Sequence, residues 1–165
     1  MVAVTASGTA TVTLPTDEQI LITREFDAPR HLVYEAWTTP ALVRRWWSAK
    51  RGEVTACEID LRVGGTWRYA MVTDGGLEVA FHGEYREIVA DERIVTTQVF
   101  EVPGAPEGEG VLNIVTFTEV DGRTVLTLLV QAHSRQERDM IMASGMEAGM
   151  QEQLELLEQV ASSLR

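Results

Sequence analysis

Cysteine and positive charge are both scarce in this 165-residue chain. The single cysteine, Cys57, has no partner for an internal disulfide and fits the reducing cytoplasm, where we expect the protein to reside. Only 14 Lys and Arg residues stand against 25 Asp and Glu residues, so the net charge is -11. Because phosphate groups are bound by clustered Lys and Arg, this acidic balance argues against nucleic acid and anionic membrane as main partners.

Long apolar runs are also missing. No stretch approaches the roughly 20 apolar residues of a membrane span, so we expect no membrane insertion. The segment Met1 to Leu14 has neither the basic residues nor the apolar run of a secretory signal. Hydrophobic residues still make up 45% of the chain, as in ordinary globular proteins. The length predicts a single domain over residues 1–165, with the small and polar residues 1–8 disordered.

The usual signatures of metal, nucleotide and nucleophile sites are absent from the sequence. His31, His82 and His133 lack ligand-like spacing, which predicts no metal site. Gly108-Glu109-Gly110 opens no helix, and Ser144 lacks the glycines of a nucleophile elbow. We therefore expect no cofactor and assign no catalytic residue, although an active site assembled from distant residues would leave no such signature.

The C-terminal segment has the pattern of a long amphipathic helix. Ser134 and Glu137 form a Ser-x-x-Glu capping box at its start. Ser144-Gly145 predicts a kink or a split. The residues at helical spacing that form the apolar stripe are Met140, Ala143, Met146, Met150, Leu154, Leu157, Ala161 and Leu164.

The rest of the chain indicates a meander of strands preceded by two short helices. Strands are predicted over residues 9–14 and 20–26. One helix is predicted to begin near Pro29, and a second short helix is predicted over residues 42–47. About six strands follow between Val54 and Ala132, separated by turns such as Asp121-Gly122, with an irregularity expected near Glu87. The Gly- and Pro-rich loop over residues 103–110 is expected to be exposed and mobile. The order predicts an α+β fold with an antiparallel sheet around the C-terminal helix.

Several segments carry a family resemblance. They are Phe26-Asp27-Ala28-Pro29-Arg30, Val33-Tyr34-Glu35-Ala36-Trp37-Thr38, Arg45-Trp46-Trp47, the run from Cys57 to Tyr69, His82-Gly83-Glu84-Tyr85 and Ser144-Gly145-Met146-Glu147. In order and spacing, from about Thr11 to the C-terminus, they resemble the START-like (SRPBCC, helix-grip) superfamily. The closer likeness is to its branch of activator of heat-shock protein 90 ATPase homologues.

The resemblance implies a curved antiparallel sheet that grips the long C-terminal helix, with a cavity between the concave face and the helices. In the superfamily such cavities hold lipids, sterols, polyketides and other apolar molecules, and in some branches they serve cyclisation or hydrolysis. The branch also contains a co-chaperone domain. We expect this chain to be one domain without the additional N-terminal domain of the eukaryotic activator, and that expectation argues against the transfer of the co-chaperone role.

Aromatic and methionine side chains are the candidate pocket lining. The set is Trp37, Trp46, Trp67, Tyr69, Met71, Phe81, Phe100, Phe117, Met146 and Met150. Ordinary core packing is the alternative for each of them. Trp67, Tyr69 and Met71 are the strongest candidates because they share one face of a strand. Trp47 must point away from Trp46 and is predicted to be a lid or a surface contact.

Three functions stay open on the sequence. The first is a non-enzymatic domain that binds an apolar small molecule. The second is a co-chaperone-like protein-interaction module, favoured by a collapsed core and an acidic surface with an exposed Trp47. The third is a cyclase- or hydrolase-type enzyme that uses the same cavity. Exposed Met and Trp side chains at one edge would also suit a homodimer.

Overall fold

A computed structural model describes residues 9–101 and 110–165 of the chain. The predicted disorder of residues 1–8 and the predicted exposure of the loop over residues 103–109 concern positions outside that description.

The elements follow one another in the predicted order. They are β1 (Thr11–Thr13), β2 (Gln19–Phe26), α1 (Arg30–Thr38), α2 (Pro40–Val43), β3 (Gly52–Ile59), β4 (Thr66–Thr73), β5 (Glu78–Val89), β6 (Arg93–Glu101), β7 (Val111–Val120), β8 (Arg123–Gln131), α3 (Arg135–Ala143) and α4 (Met146–Ser163). The α+β class, the two short helices and the six-strand meander are confirmed. The helix-grip arrangement implied by the resemblance is confirmed as well.

All eight strands form one antiparallel sheet in the order β1-β2-β8-β7-β6-β5-β4-β3. Alternate residues of β2 are buried, as expected when one face of a strand meets the core. The pairing of β5 with β6 shifts between Tyr85 and Glu87, which confirms the predicted irregularity. A second shift, between Val54 and Ala56, was not predicted and leaves Thr55 outside the regular alternation of β3. Such bulges bend a sheet, and both lie among the strands β3 to β6.

The C-terminal helix is split, as Ser144-Gly145 predicts. Gly145 has a φ of 83° and is the N-cap of α4, a backbone conformation that glycine adopts without strain. Helix α4 buries Met150, Leu154, Leu157, Val160 and Ala161 in the core. Met140 and Ala143 were predicted in the same stripe, but both are exposed, Met140 at 67%. The split at Gly145 breaks the helical phase between α3 and α4, and Ile141 and Met142 are the apolar α3 residues that pack against the core.

The second short helix begins earlier than predicted. Pro40 is its first residue, a position where the missing proline N–H costs nothing, and the helix ends at Val43. Trp46 and Trp47 therefore lie in the turns that follow rather than in a helix. Within residues 9–101 and 110–165, no helix has both the length and the apolar character required to cross a bilayer.

Candidate functional site

One face of the sheet is turned toward the helices. The ring of Tyr34 in α1 contacts Phe117 of β7, and Trp47 contacts Tyr69 of β4 and Phe81 of β5, which identifies the concave face. The strand register then assigns the other inner-facing residues. In the half of the sheet formed by β3 to β6 they are Val54, Cys57, Ile59, Trp67, Tyr69, Met71, Val79, Phe81, Gly83, Tyr85, Ile88, Ile94, Thr96, Gln98 and Phe100.

Five aromatic rings meet on this half of the sheet, and we call them the sheet cluster: Trp47, Trp67, Tyr69, Phe81 and Phe100. The centroid of Tyr69 lies 4.8 Å from that of Trp67 and 5.6 Å from that of Trp47. Phe81 lies 6.1 Å from Trp47 and 5.0 Å from Phe100, its direct partner in the strand register. Edge-to-face and tilted contacts at these distances are the favourable aromatic geometries. The sheet cluster is thus a continuous aromatic surface facing the helices.

The remaining aromatic candidates pack elsewhere. Trp37 lies 5.3 Å from Trp46 and 6.2 Å from Phe117, so these three rings form a separate group beneath α1. The Trp46 indole N–H donates to the Ala36 carbonyl at 2.9 Å, which ties the turn after α2 to α1. This geometry favours the core-packing alternative for Trp46 and Phe117, whose exposures are 4% and 2%.

The ten predicted lining residues differ in their accessibility. Four are buried, namely Trp46, Trp67, Phe117 and Met150. Five are partly buried and packed against the core, namely Trp37, Tyr69, Met71, Phe81 and Met146. Phe100 is 54% exposed. Whether these residues line a ligand pocket remains a prediction.

Two residues of the site were not in the predicted set. Trp47 is buried at 9% exposure and joins the sheet cluster, so the surface contact considered for it is wrong. Tyr85 is 4% exposed on the inner face of β5. The alternation Phe81-Gly83-Tyr85 carried a signal for Tyr85, whereas the direction of Trp47 depends on the non-helical turns after α2.

The indole N–H of Trp67 is buried on the concave face. It finds no hydrogen-bond acceptor in the part of the chain that the structure describes. A Cβ atom added at Gly83 would come within 2.7 Å of Trp67 Nε1, so the indole lies directly over Gly83. Glycine at this position therefore makes room for the ring across β5. Elsewhere on this face, the Asn113 amide nitrogen donates to the Gln98 side-chain oxygen at 2.8 Å.

Burial also acts on the titratable groups of this face. It raises the pKa of Tyr69 well above its ordinary value, and it raises the pKa of Tyr85, so both hydroxyls stay protonated at neutral pH. Burial likewise raises the pKa of the Cys57 thiol. A thiol that holds its proton is a weak nucleophile, which supports the expected role of Cys57 as a small buried side chain.

The polar side chains Arg68 and His82 lie on the opposite, convex face. Arg68 forms a bidentate pair with Glu101 at 2.9 and 3.0 Å, and His82 Nδ1 lies 2.9 Å from the same carboxylate. The hydrogen bond from Arg68 lowers the pKa of Glu101, with a smaller contribution from His82. Arg68 is thus directed away from the helices and from any ligand on the concave face. The described residues contain no group of three or more His, Cys, Asp or Glu able to hold a metal ion.

Two open hollows lie on the outside of the C-terminal helices. One is lined by α3 residues around Met140, and the other lies between Lys50 and the α4 residues around Glu155. None of the ten predicted lining residues borders either hollow. The predicted lining residues that lie together in the sheet cluster are Trp67, Tyr69, Phe81 and Phe100.

Comparisons with known proteins place the chain in a family. The sequence profile of the activator of Hsp90 ATPase homolog 1-like proteins matches residues 27–162. A crystal structure of a Rhodobacter sphaeroides protein superposes with a TM-score of 0.84 at 21% identity, over 94% of this chain and 99% of that chain. A solution structure of an Arthrobacter aurescens protein has a TM-score of 0.81 at 26% identity, over 93% and 91% of the two chains.

A solution structure of an AHSA1-like protein from Aeromonas hydrophila has a TM-score of 0.65 at 21% identity, over 87% of this chain and 93% of that chain. The search of curated proteins gave no match. The profile match covers most of the chain, and the structural matches cover nearly its whole length. The chain therefore belongs to the activator of Hsp90 ATPase homolog 1-like family, in the START-like superfamily.

Proposed function

We propose that this domain binds a small apolar molecule against the concave face of its sheet. The observation that carries the proposal is the sheet cluster, which ends in the half-exposed ring of Phe100 stacked on Phe81. Fully burying a side chain of this kind contributes about 1.5–3 kcal/mol, so covering the exposed half of Phe100 offers about 1 kcal/mol to a ligand.

Partly buried methionines support the same reading. Met71 pairs with Val79 beside the sheet cluster, and Met146 opens α4. Unbranched thioether side chains adapt to ligands of different shape at low cost. The proposed ligand can therefore vary in outline while its apolar body stacks on the aromatic rings.

The two alternatives have less support. A protein-interaction module was favoured by an exposed Trp47, but that ring is buried against Tyr69 and Phe81. The close ring contacts of the sheet cluster, the family name and the net charge of -11 remain in favour of that alternative. An enzyme of the hydrolase kind needs an activated nucleophile, and the raised pKa of Cys57 works against thiolate formation.

Native mass spectrometry of the protein purified from cells tests the proposal. We expect a mass above that of the chain, released on denaturation as a small molecule of low polarity. Phe100→Ser should lower the fraction that carries the molecule. Val120→Ser should leave this fraction unchanged, because Val120 has a matched exposure (53% against 54%) but lies far from Phe100. Phe100 lies near the first residue of β7, and Val120 is its last residue.

Equal retention by the wild type and both variants would reject the sheet cluster as the site. The proposed function itself fails if the wild type carries no molecule and also shows no saturable binding of prodan, an uncharged fluorescent naphthalene ketone.

A further inference from the structure

We infer that the bound molecule carries an uncharged hydrogen-bond acceptor, such as a carbonyl oxygen, that accepts the indole N–H of Trp67. This inference names the chemical class of the ligand and rests on the function proposed above.

The indole N–H of Trp67 stands out by comparison with that of Trp46. Trp46 and Trp67 are both buried, at 4% and 6% exposure. The Trp46 N–H has an acceptor within the protein, the Ala36 carbonyl. The Trp67 N–H has none among residues 9–101 and 110–165. Buried donors in folded proteins are nearly always paired, so a donor without an acceptor indicates that a group from outside the chain supplies one.

The position of this donor makes it part of the concave face. Trp67 Nε1 lies over Gly83, between the inner-facing side chains of Phe81 and Tyr85 on β5. The same indole contacts Tyr69 in the sheet cluster at 4.8 Å. A molecule stacked on the sheet cluster therefore lies next to the donor. The pairs His82–Val99 and Tyr85–Thr96 also place Gln98 opposite Gly83, which adds an amide group beside the same spot.

The acceptor should be neutral. The inner-facing residues of β3 to β6 in the described chain are all uncharged. A carboxylate or phosphate placed there would lose its hydration without an inner-facing cation on these strands to pair with, which is far more costly than burying a carbonyl group. A ketone, ester or amide oxygen accepts the Trp67 N–H without that penalty.

Prodan and its propyl analogue, in which a methylene group replaces the carbonyl, separate this acceptor from the apolar body. Dissociation constants for both probes are measured by fluorescence titration on the wild type, on Trp67→Phe and on Trp46→Phe. We expect the preference for the ketone over the propyl analogue to fall about tenfold in Trp67→Phe, the size of one hydrogen bond to a buried donor. Trp46→Phe is the matched control, because its N–H is already bonded within the protein, and it should leave the preference unchanged.

An unchanged preference in Trp67→Phe would overturn the inference while both probes still bind, and the proposed function would then stand. If neither probe binds the wild type, the inference fails, and the proposed function fails with it when the purified protein also carries no molecule. Should Trp67→Phe not fold, the sulfur analogue of tryptophan, benzothienylalanine, placed at position 67 keeps the ring size and removes only the N–H. The same tenfold loss of preference is expected there, and its absence would again refute the inference.

Discussion

Replacing Glu158 by glutamine removes the only charge that the described structure pairs directly with the buried Arg24. The Arg24 side chain is fully buried on the inner face of β2, and its guanidinium carbon lies 4.5 Å from the Phe26 ring centroid. Glu158 Oε1 of α4 lies 3.5 Å from the Arg24 nitrogen, and Glu158 Oε2 accepts the Asp27 backbone N–H at 2.7 Å. Burial lowers the pKa of Arg24, and the Glu158 carboxylate opposes that shift.

The expected cost follows from leaving a cation in the core. Breaking a buried ion pair by removing one partner costs about 3–5 kcal/mol. Glu158 is 21% exposed and its contact with Arg24 is long, so we expect Glu158→Gln to cost about 3 kcal/mol, at the lower end. Arg24→Met should restore most of this loss in the double variant, because methionine fills the space without a charge and removes the unpaired Arg24 Nε.

Equilibrium unfolding in urea, followed by tryptophan fluorescence, measures these costs. With a slope of roughly 1–3 kcal/mol per molar urea, Glu158→Gln should lower the unfolding midpoint by about 1–3 M. The double variant Arg24→Met, Glu158→Gln should lie within about 1 kcal/mol of the wild type. A loss below about 0.5 kcal/mol in Glu158→Gln, typical of a surface pair, would refute the reasoning. So would a double variant that is less stable than the single one.

Further consequences concern the site, the sheet and the helix start. Because burial raises the pKa of Tyr69 and Tyr85, stability should fall as the pH rises above 10, where the unfolded tyrosines ionise first. Urea unfolding is measured between pH 9 and 11, around the ordinary tyrosine pKa. The fall in stability should be smaller when both tyrosines are replaced by phenylalanine. Gly83→Ala would bring a Cβ atom 1.8 Å from the Thr97 carbonyl oxygen, and this overpacking should cost about 3 kcal/mol in the same assay. Ser134→Ala should cost about 1 kcal/mol by removing the oxygen that accepts a backbone N–H in the first turn of α3, and equal stability would contradict that role.

Much of the fold was predictable because its signals are local. Asp121 and Gly122 have positive φ values and form the β7–β8 turn that the dipeptide indicates. Ser144-Gly145 divides the C-terminal helix where the pattern placed a kink or a split. Phe81 faces inward and His82 outward, as the alternation of neighbouring residues along a strand requires. Each of these features depends on a few neighbouring residues, so the sequence contains it.

The parts that could not be predicted depend on residues far apart in the chain. Phe100 joins the sheet cluster through its register with Phe81, and that register depends on a bulge whose position the pattern gave only approximately. Trp46 and Trp47 are both buried because a turn, and not a helix, carries them. Whether an indole N–H has an acceptor depends on which carbonyl groups surround it. The sequence alone therefore grouped Trp67 with Trp46, and only the structure distinguishes them.

Heteronuclear NMR of the four tryptophan indole N–H groups tests the central claim most directly. The signals are assigned with single Trp→Phe variants, and prodan is then titrated into the wild type. We predict saturable shifts of the Trp47 and Trp67 signals, which belong to the sheet cluster. The Trp46 signal, whose N–H is bonded to Ala36, should stay in place. Unchanged Trp47 and Trp67 signals at saturating prodan would contradict binding at the concave face.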